Sequence, residues 1–294
     1  MRTLTWLASF PKSGNTWVRA FLTAYLLDAD RPLDLKRIYE FSASESRYDL
    51  FVRLSGKRRE ELTDIEIDAH RRWIQEHLAR DLGKAKYLKT HNARVRHFGY
   101  PLIRSELTRC AVYLLRNPLD VVDSFADHAG LTIDEAIAAM NNPSQRLGGP
   151  NWPFVAQYIT TWSQHVVSWT ARRDFPLLTI RYEDLQSRPL EEFSKLIEFL
   201  DWDLDQDRLQ RAVRFSSFDV LQEVEQQDSF AERSPSSVSG RFFRRGKVHT
   251  WTDVLTPAQV ETVIGQHGKV MASFGYPTSY QQAIEQAELK QANS

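Results

Sequence analysis

Apolar positions follow two rhythms along the chain. Short runs of strand length occupy residues 4–9, 87–91, 110–115 and 176–181, and each ends against polar, charged or proline residues. Between them, apolar residues return at helical spacing, after the first run over residues 17–27 and after the third from Pro118 through Ser124 and His128. The charge-rich block 57–81, with Leu62, Ile65, Ala69, Trp73, Ile74 and Leu78 in helical register, predicts one amphipathic helix or two with a solvated charged face. Further helices are expected over 132–140, over an aromatic-rich 152–170, from Pro189 to Leu200 and over 257–275, with a polar, frayed helix after Tyr280. In the 152–170 segment, Tyr158, Trp162 and Trp169 would share one face, a stripe that suits core packing better than a ligand box. Residues 28–54 carry no rhythm that assigns them. Residues 141–150 read as a polar loop and 226–240 as a serine-rich, mobile one.

The junction after the first run carries the first candidate chemistry. Phe10-Pro11-Lys12-Ser13-Gly14-Asn15-Thr16-Trp17 reads as strand, loop, helix, because Pro11 cannot extend the strand and Gly14 frees the turn. Amides at a helix start lack intrahelical partners, the helix dipole adds partial positive charge and Lys12 a full one, so a phosphate or sulfate fits there. The loop is not a Walker A motif, since Lys12 precedes the only glycine. A strand-turn-helix corner with a surface lysine is the plainer reading of the loop alone.

Two other strand ends deliver candidates, as expected of parallel α/β sheets. Lys89-Thr90-His91 closes the second run, where His91 is either a structural histidine or a base. Arg116-Asn117-Pro118-Leu119-Asp120 closes the third, with Pro118 suited to a first helical turn. Arg116 and Ser124 can converge on one anion through a donor fork and a hydroxyl, or Arg116 and Asp120 can simply brace the helix start. Tyr182 ends the fourth run. Residues 241–251 interleave Arg241, Arg244, Arg245 and Lys247 with Phe242, Phe243 and Trp251, a mixture that could contact single-stranded nucleic acid.

Composition narrows the partners. Across 294 residues, 38 Lys and Arg balance 38 Asp and Glu, so no global basic field points to DNA or an anionic membrane, and any anion site must be local. A single cysteine, Cys110, excludes an intramolecular disulfide and a thiolate metal cluster and reads as a small buried residue. Neither a signal sequence nor a membrane-length apolar run is present, so a cytoplasmic protein is expected. The length allows one large α/β domain or two small ones, and with no repeat or second boundary visible, 1–294 is read as one.

Taken together, these segments resemble the cytosolic-type sulfotransferases, which use 3′-phosphoadenosine-5′-phosphosulfate (PAPS), and look most like the family's bacterial members. The loop at 10–17 resembles their 5′-phosphosulfate loop, aromatic-Pro-Lys-Ser-Gly-Thr-Thr-Trp, with Asn15 for the first Thr. Lys89-Thr90-His91 resembles Lys-Thr/Ser-His-Leu-Pro, with Asn92-Ala93 replacing Leu-Pro, a departure that touches the acceptor entrance. Residues 113–124 fill every specified position of Tyr-x-x-Arg-Asn-Pro-x-Asp-x-x-x-Ser, the 3′-phosphate site. Tyr182-Glu183-Asp184-Leu185 and Phe215-Ser216-Ser217-Phe218 resemble segments near the adenine. Arg244-Arg245-Gly246 and Trp251 resemble the closing loop Arg-Lys-Gly-x-x-Gly-Asp-Trp, with His249 and Thr250 in place of Gly-Asp.

The resemblance implies an α/β fold with a central parallel β-sheet flanked by helices and a P-loop-like phosphosulfate loop after the first strand. It implies transfer of a sulfuryl group from PAPS to a hydroxyl or amine of a small-molecule, lipid or glycan acceptor, without a metal. His91 would be the base and Lys12 and Lys89 the cations at the reacting group. Lys12, Ser13, Gly14, Asn15, Thr16, Trp17, Arg116, Ser124, Tyr182, Ser216, Phe218, Arg244, Arg245 and Gly246 would bind PAPS or its product, adenosine 3′,5′-bisphosphate. The 141–150 loop is expected to be the acceptor lid. A P-loop nucleotide kinase and a non-catalytic nucleotide-binding protein stand as alternatives, and a homodimer is left open.

Overall fold

A computed structural model describes residues 2–149, 152–227, 230, 232–234 and 236–291. In chain order it contains β1 (Leu4–Ser9), α1 (Asn15–Leu26), β2 (Ser42–Ala43), α2 (Tyr48–Ser55), α3 (Asp64–Arg80) and β3 (Tyr87–Thr90). There follow β4 (Arg96–His97), β5 (Tyr100–Pro101), β6 (Thr108–Leu115), α4 (Pro118–Ala129), α5 (Ile133–Met140), β7 (Arg146–Leu147), β8 (Gln157–Tyr158) and α6 (Trp162–Thr170). The remainder is β9 (Leu177–Arg181), α7 (Tyr182–Ser187), α8 (Pro189–Phe199), α9 (Gln206–Phe215), α10 (Phe218–Gln227), α11 (Pro257–Ser273) and α12 (Tyr280–Gln291).

The central sheet is parallel, in the order β2-β3-β1-β6-β9. Strand alternation sends successive side chains to opposite faces, and each face meets its own helices. From β1 and β6, Leu4, Trp6, Ala8, Ala111, Tyr113 and Leu115 enter one apolar cluster with residues of α3, α4, α6 and α11. Leu7, Val112 and Leu114 enter the other, with residues of α1, α8 and α9. That two-sided burial is why β1 and β6 read as continuous apolar runs. The chain leaves β1 toward β3 on one side and returns to β6 on the other, so the carboxyl end of β1 is a topological switch point, where open α/β sheets leave a crevice.

Two sequence-based expectations need correction. The aromatic helix does not span 152–170. Residues 152–161 are not helical and contain β8, and α6 starts only at Trp162, where Thr161 and Gln164 form a reciprocal capping box. Tyr158 therefore does not share a face with Trp162: its ring stacks on His97 at 3.7 Å, while Trp162 and Trp169 are core residues. The serine-rich stretch is not free of anchors. Gln226 and Gln227 belong to α10, Phe230 and Ser234 are buried, and Glu232 is ion-paired, while 228, 229, 231 and 235 lie outside the described residues. The unassigned 28–54 holds the edge strand β2 and α2. Among the described residues, no helix is long and apolar enough to cross a membrane.

Candidate active site

The loop between β1 and α1, the candidate phosphate loop, sits at the switch point. Gly14 is the N-cap of α1 at φ 94°, a left-handed conformation, and a Cβ there would lie 2.7 Å from the Tyr182 ring. Lys12 also has positive φ, 66°, a strained choice for a side-chain-bearing residue. Asn15 is spent inward, its Nδ2 donating to the Leu7 carbonyl at 3.2 Å. Trp17 packs edge-on against Tyr182, with centroids 5.6 Å apart. Several buried polar atoms here have no hydrogen-bond partner in the protein: Ser13 Oγ, Asn15 Oδ1, Trp17 Nε1 and Arg116 Nε. All but Asn15 Oδ1, an acceptor, can donate, and unpaired buried donors beside a helix start are what an anionic ligand would satisfy.

A cavity opens above this loop. Its walls include Lys12, Gly14, Asn15, Thr16, Trp17, Lys89, His91, Arg116, Ser124, Tyr182, Phe218, Arg244, Arg245 and Gly246, so the ends of β1, β3, β6 and β9 converge on one space. Ser216 is not among them: it is buried at the end of α9, and its hydroxyl donates to the Ala212 carbonyl at 2.7 Å. Ser13 is buried behind the loop rather than in the cavity wall.

His91 is fixed on its ring and on its backbone. Its Nδ1 lies 2.9 Å from the Ser9 carbonyl, which can only accept, so Nδ1 carries the proton and Nε2 is left as a free base. Its backbone N–H donates to Gln157 Oε1 at 2.9 Å. Burial holds the imidazole well below its usual pKa, and the Lys89 charge adds to the effect, so the neutral form prevails. Lys12 Nζ lies 4.0 Å from the Phe242 ring centroid, and burial followed by repulsion from Arg116 brings it down to about 8. Burial also lowers Lys89.

The replacement of Leu-Pro by Asn92-Ala93 turns out to be structural. Asn92 is fully buried, donating through Nδ2 to Glu45 Oε1 at 2.7 Å and accepting from Tyr158 N–H at 2.9 Å. It braces the turn after β3 and does not line the cavity.

The arginines are arranged differently from a fork held open for an anion. Arg116 Nη1 and Nη2 donate to the carbonyls of Lys12 at 3.0 Å and Lys247 at 3.1 Å, so the guanidinium staples the phosphate loop to the segment passing over it. Arg244 forms an ion pair with Asp123, and Arg245 Nη1 stands 3.7 Å from the same carboxylate. That overlying segment is well anchored. Glu225 accepts from the N–H groups of Phe242 and Phe243 at 2.6 and 2.9 Å, Gln186 donates to the Gly246 carbonyl at 2.7 Å, and Asp120 accepts from His249 N–H at 2.9 Å.

Sequence reading missed Glu232 and Asp123. Glu232 Oε2 accepts from Arg19 Nη2 at 2.6 Å and from the Thr16 hydroxyl at 3.1 Å, and it lines the cavity. Burial would raise its pKa, but Arg19 and Lys89 hold it well below the usual carboxylate range. Arg19 was the available signal: a charged residue within the apolar face of α1, buried there, requires a partner. Asp123 directly precedes Ser124 on α4, and its carboxylate faces both Arg244 and Arg245. On the far wall, Leu147, Gly148, Trp152, Pro153 and Phe154 extend the cavity with apolar surface; Pro150, part of the expected lid, lies outside the described residues. No group of three or more His, Cys, Asp or Glu side chains able to hold a metal ion occurs among the described residues.

Comparison with known proteins agrees with this arrangement. A family model for the sulfotransferase domain matches residues 2–275. The chain is 24% identical over 268 residues to dog sulfotransferase 1B1, covering 87% of this chain and 79% of that protein. It is 23% identical over 270 residues to cytosolic sulfotransferase 12 of Arabidopsis thaliana, covering 87% and 74%. Among solved structures, a mouse sulfotransferase, SULT7A1, crystallised with PAP, superposes with a TM-score of 0.58 at 20% identity, over 92% of this chain and 84% of that one. Retinol dehydratase in complex with androsterone and PAP superposes with a TM-score of 0.61 at 17% identity, over 92% and 81%. With a family match spanning nearly the whole chain, and the phosphate loop, the histidine and the arginines gathered at one switch point, the chain belongs to the sulfotransferase domain family.

Proposed function

We propose that this chain, as one sulfotransferase domain, binds PAPS across the switch point and transfers its sulfuryl group to a hydroxyl or amine of a small-molecule acceptor. The reading rests above all on one observation: His91 presents an unprotonated Nε2 to a cavity that it shares with Lys12 and Lys89. PAPS supplies the activated sulfuryl group, and the unpaired Trp17 Nε1 and Arg116 Nε, on residues of the cavity wall, fit an anionic nucleotide near the start of α1.

The protein's work is positioning and charge compensation. The α1 amides and Lys12 hold the 5′ side, and Lys89 adds charge beside the base. Arg116, Ser124, Arg244 and Arg245 line the side assigned to the 3′-phosphate, where that group would compete with Asp123 for the arginines. Tyr182, Phe218 and Gly246 border the remaining space, the glycine because a Cβ would fall 2.0 Å from the Phe218 ring. His91 Nε2 takes the acceptor proton. The apolar wall of Leu147, Trp152, Pro153 and Phe154 receives the body of the acceptor, and no metal has a part in the proposal. Related proteins give this reading its plausibility, since SULT7A1 and retinol dehydratase were crystallised with PAP.

The test is transfer of labelled sulfate from PAPS to a panel of phenols, alkyl alcohols and glycopeptides by the parent and by His91→Ala. His91→Ala is expected to lose turnover while binding adenosine 3′,5′-bisphosphate almost as the parent does. Turnover within about threefold of the parent, far short of the roughly 100-fold or more that a lost general base costs, would move the base elsewhere, with His128 the next candidate in the cavity.

A further inference from the structure

His165 lies in α6, outside every motif singled out in the sequence, and is fully buried with no exposure to the cavity. Its two ring nitrogens are both engaged. Nε2 stands 3.1 Å from the His91 carbonyl, and Nδ1 stands 2.8 Å from the Tyr113 hydroxyl. A carbonyl oxygen can only accept, so Nε2 bears the proton; Nδ1 then accepts from Tyr113. Burial brings this imidazole down to about 4, which keeps it neutral and holds that tautomer.

His91 is held from two sides: the Ser9 carbonyl orients its ring, and Tyr113, on the middle of β6, holds His165 against its main-chain carbonyl. The Phe10 ring meets the His165 ring edge-on, with centroids 5.5 Å apart, so the imidazole is also confined by packing.

We propose that His165, with Tyr113 behind it, is a positioning residue for the transfer reaction: it fixes the backbone of His91 so that Nε2 keeps its aim at the acceptor. The proposal rests on the reading of His91 as the base. A base must be held within a fraction of an ångström of its line of attack, and β3 ends at Thr90, so the sheet ladder does not extend to His91. The bond from His165 to the His91 carbonyl adds a restraint on the main chain that the ladder lacks, beside the one Gln157 places on the His91 N–H.

Three variants test it, with His91→Ala alongside. In His165→Asn the carboxamide reaches only to the position of Nδ1, and the bond to the His91 carbonyl is lost. In His165→Gln the amide nitrogen extends to the position of Nε2 and restores it. Tyr113→Phe removes only the hydroxyl and keeps the ring in the core, so it serves if the Asn variant does not fold. His165→Asn should lower kcat by about 10- to 100-fold with bisphosphate affinity, measured by calorimetry, within about twofold of the parent. Tyr113→Phe should lower kcat in the same selective way by a smaller factor, and His165→Gln should return to within about threefold of the parent. A kcat unchanged in both His165→Asn and Tyr113→Phe, beside an inactive His91→Ala, would overturn the positioning role and leave the base assignment standing. So would loss of bisphosphate affinity in parallel with kcat, or failure of Gln to restore what Asn removes, either of which marks a general packing role. An active His91→Ala would overturn the base assignment itself, and the positioning role with it.

Discussion

Lys12 should be a liability to the stability of the free protein. Its ammonium is held below its usual pKa by burial first and by Arg116 second, from 10.5 to about 8. A shift of that size corresponds to ~3 kcal/mol by which the charged form is disfavoured in the folded chain relative to the unfolded one. Replacing Lys12 by Met keeps the stem and removes the charge, at the loss of a cation-π contact with Phe242 of roughly 0.5–1 kcal/mol. The Met variant should therefore be more stable by about 2 kcal/mol at pH 7, in urea unfolding without nucleotide. The sign fixes the pH dependence. The folded pKa is lowered, so between about 8 and 10.5 the unfolded chain binds more protons than the folded one, and the parent gains stability as pH rises. The advantage of Lys12→Met is then full below pH 8 and shrinks above it. Binding runs the other way: the parent should lose affinity for adenosine 3′,5′-bisphosphate as pH climbs past 8, whereas Lys12→Met binds weakly at every pH. A Met variant no more stable than the parent at pH 7, or an advantage unchanged between pH 7 and about 9.5, would refute this account of Lys12.

Further outcomes follow from the same groups. Glu232→Gln removes a carboxylate from Thr16 and Arg19, so bisphosphate affinity should rise in calorimetry while the fold loses about 1–3 kcal/mol from the unpaired Arg19, and an unchanged affinity would show that Glu232 does not compete with the ligand. Gly246→Ala, at φ 61° and with its Cβ in the Phe218 ring, should weaken bisphosphate binding at least tenfold, with a circular dichroism spectrum like the parent's as the control. The bisphosphate should protect Arg244 and Arg245 from trypsin better than AMP does, because only the 3′-group calls on both arginines; equal protection would remove them from the 3′-phosphate site.

The local rules of the chain were enough to find the main strands, the loop that joins β1 to α1 and the two principal strand ends. Continuous apolar runs mark strands buried on both faces, and β1 and β6 are such strands. Pro11, Gly14 and Pro118 punctuate the chain through backbone geometry alone, which needs no tertiary partner. What proximity decides was not legible. Aromatic spacing suggested a helix over 152–170, and the competing signal, the capping pair Thr161 and Gln164, stops it short because backbone amides at a helix start take whichever acceptor is nearest. The serine-rich segment read as unanchored since nothing local holds it, yet Glu232 reaches Arg19 and Glu225 reaches Phe242 and Phe243 across the fold. The sequence alone determined which residue types could meet an anionic nucleotide and an acceptor proton. Only the folded chain decided that Arg116 donates to backbone carbonyls, that Asp123 occupies Arg244 and Arg245, and that His165 backs His91, because such pairings depend on distances between elements far apart in the chain.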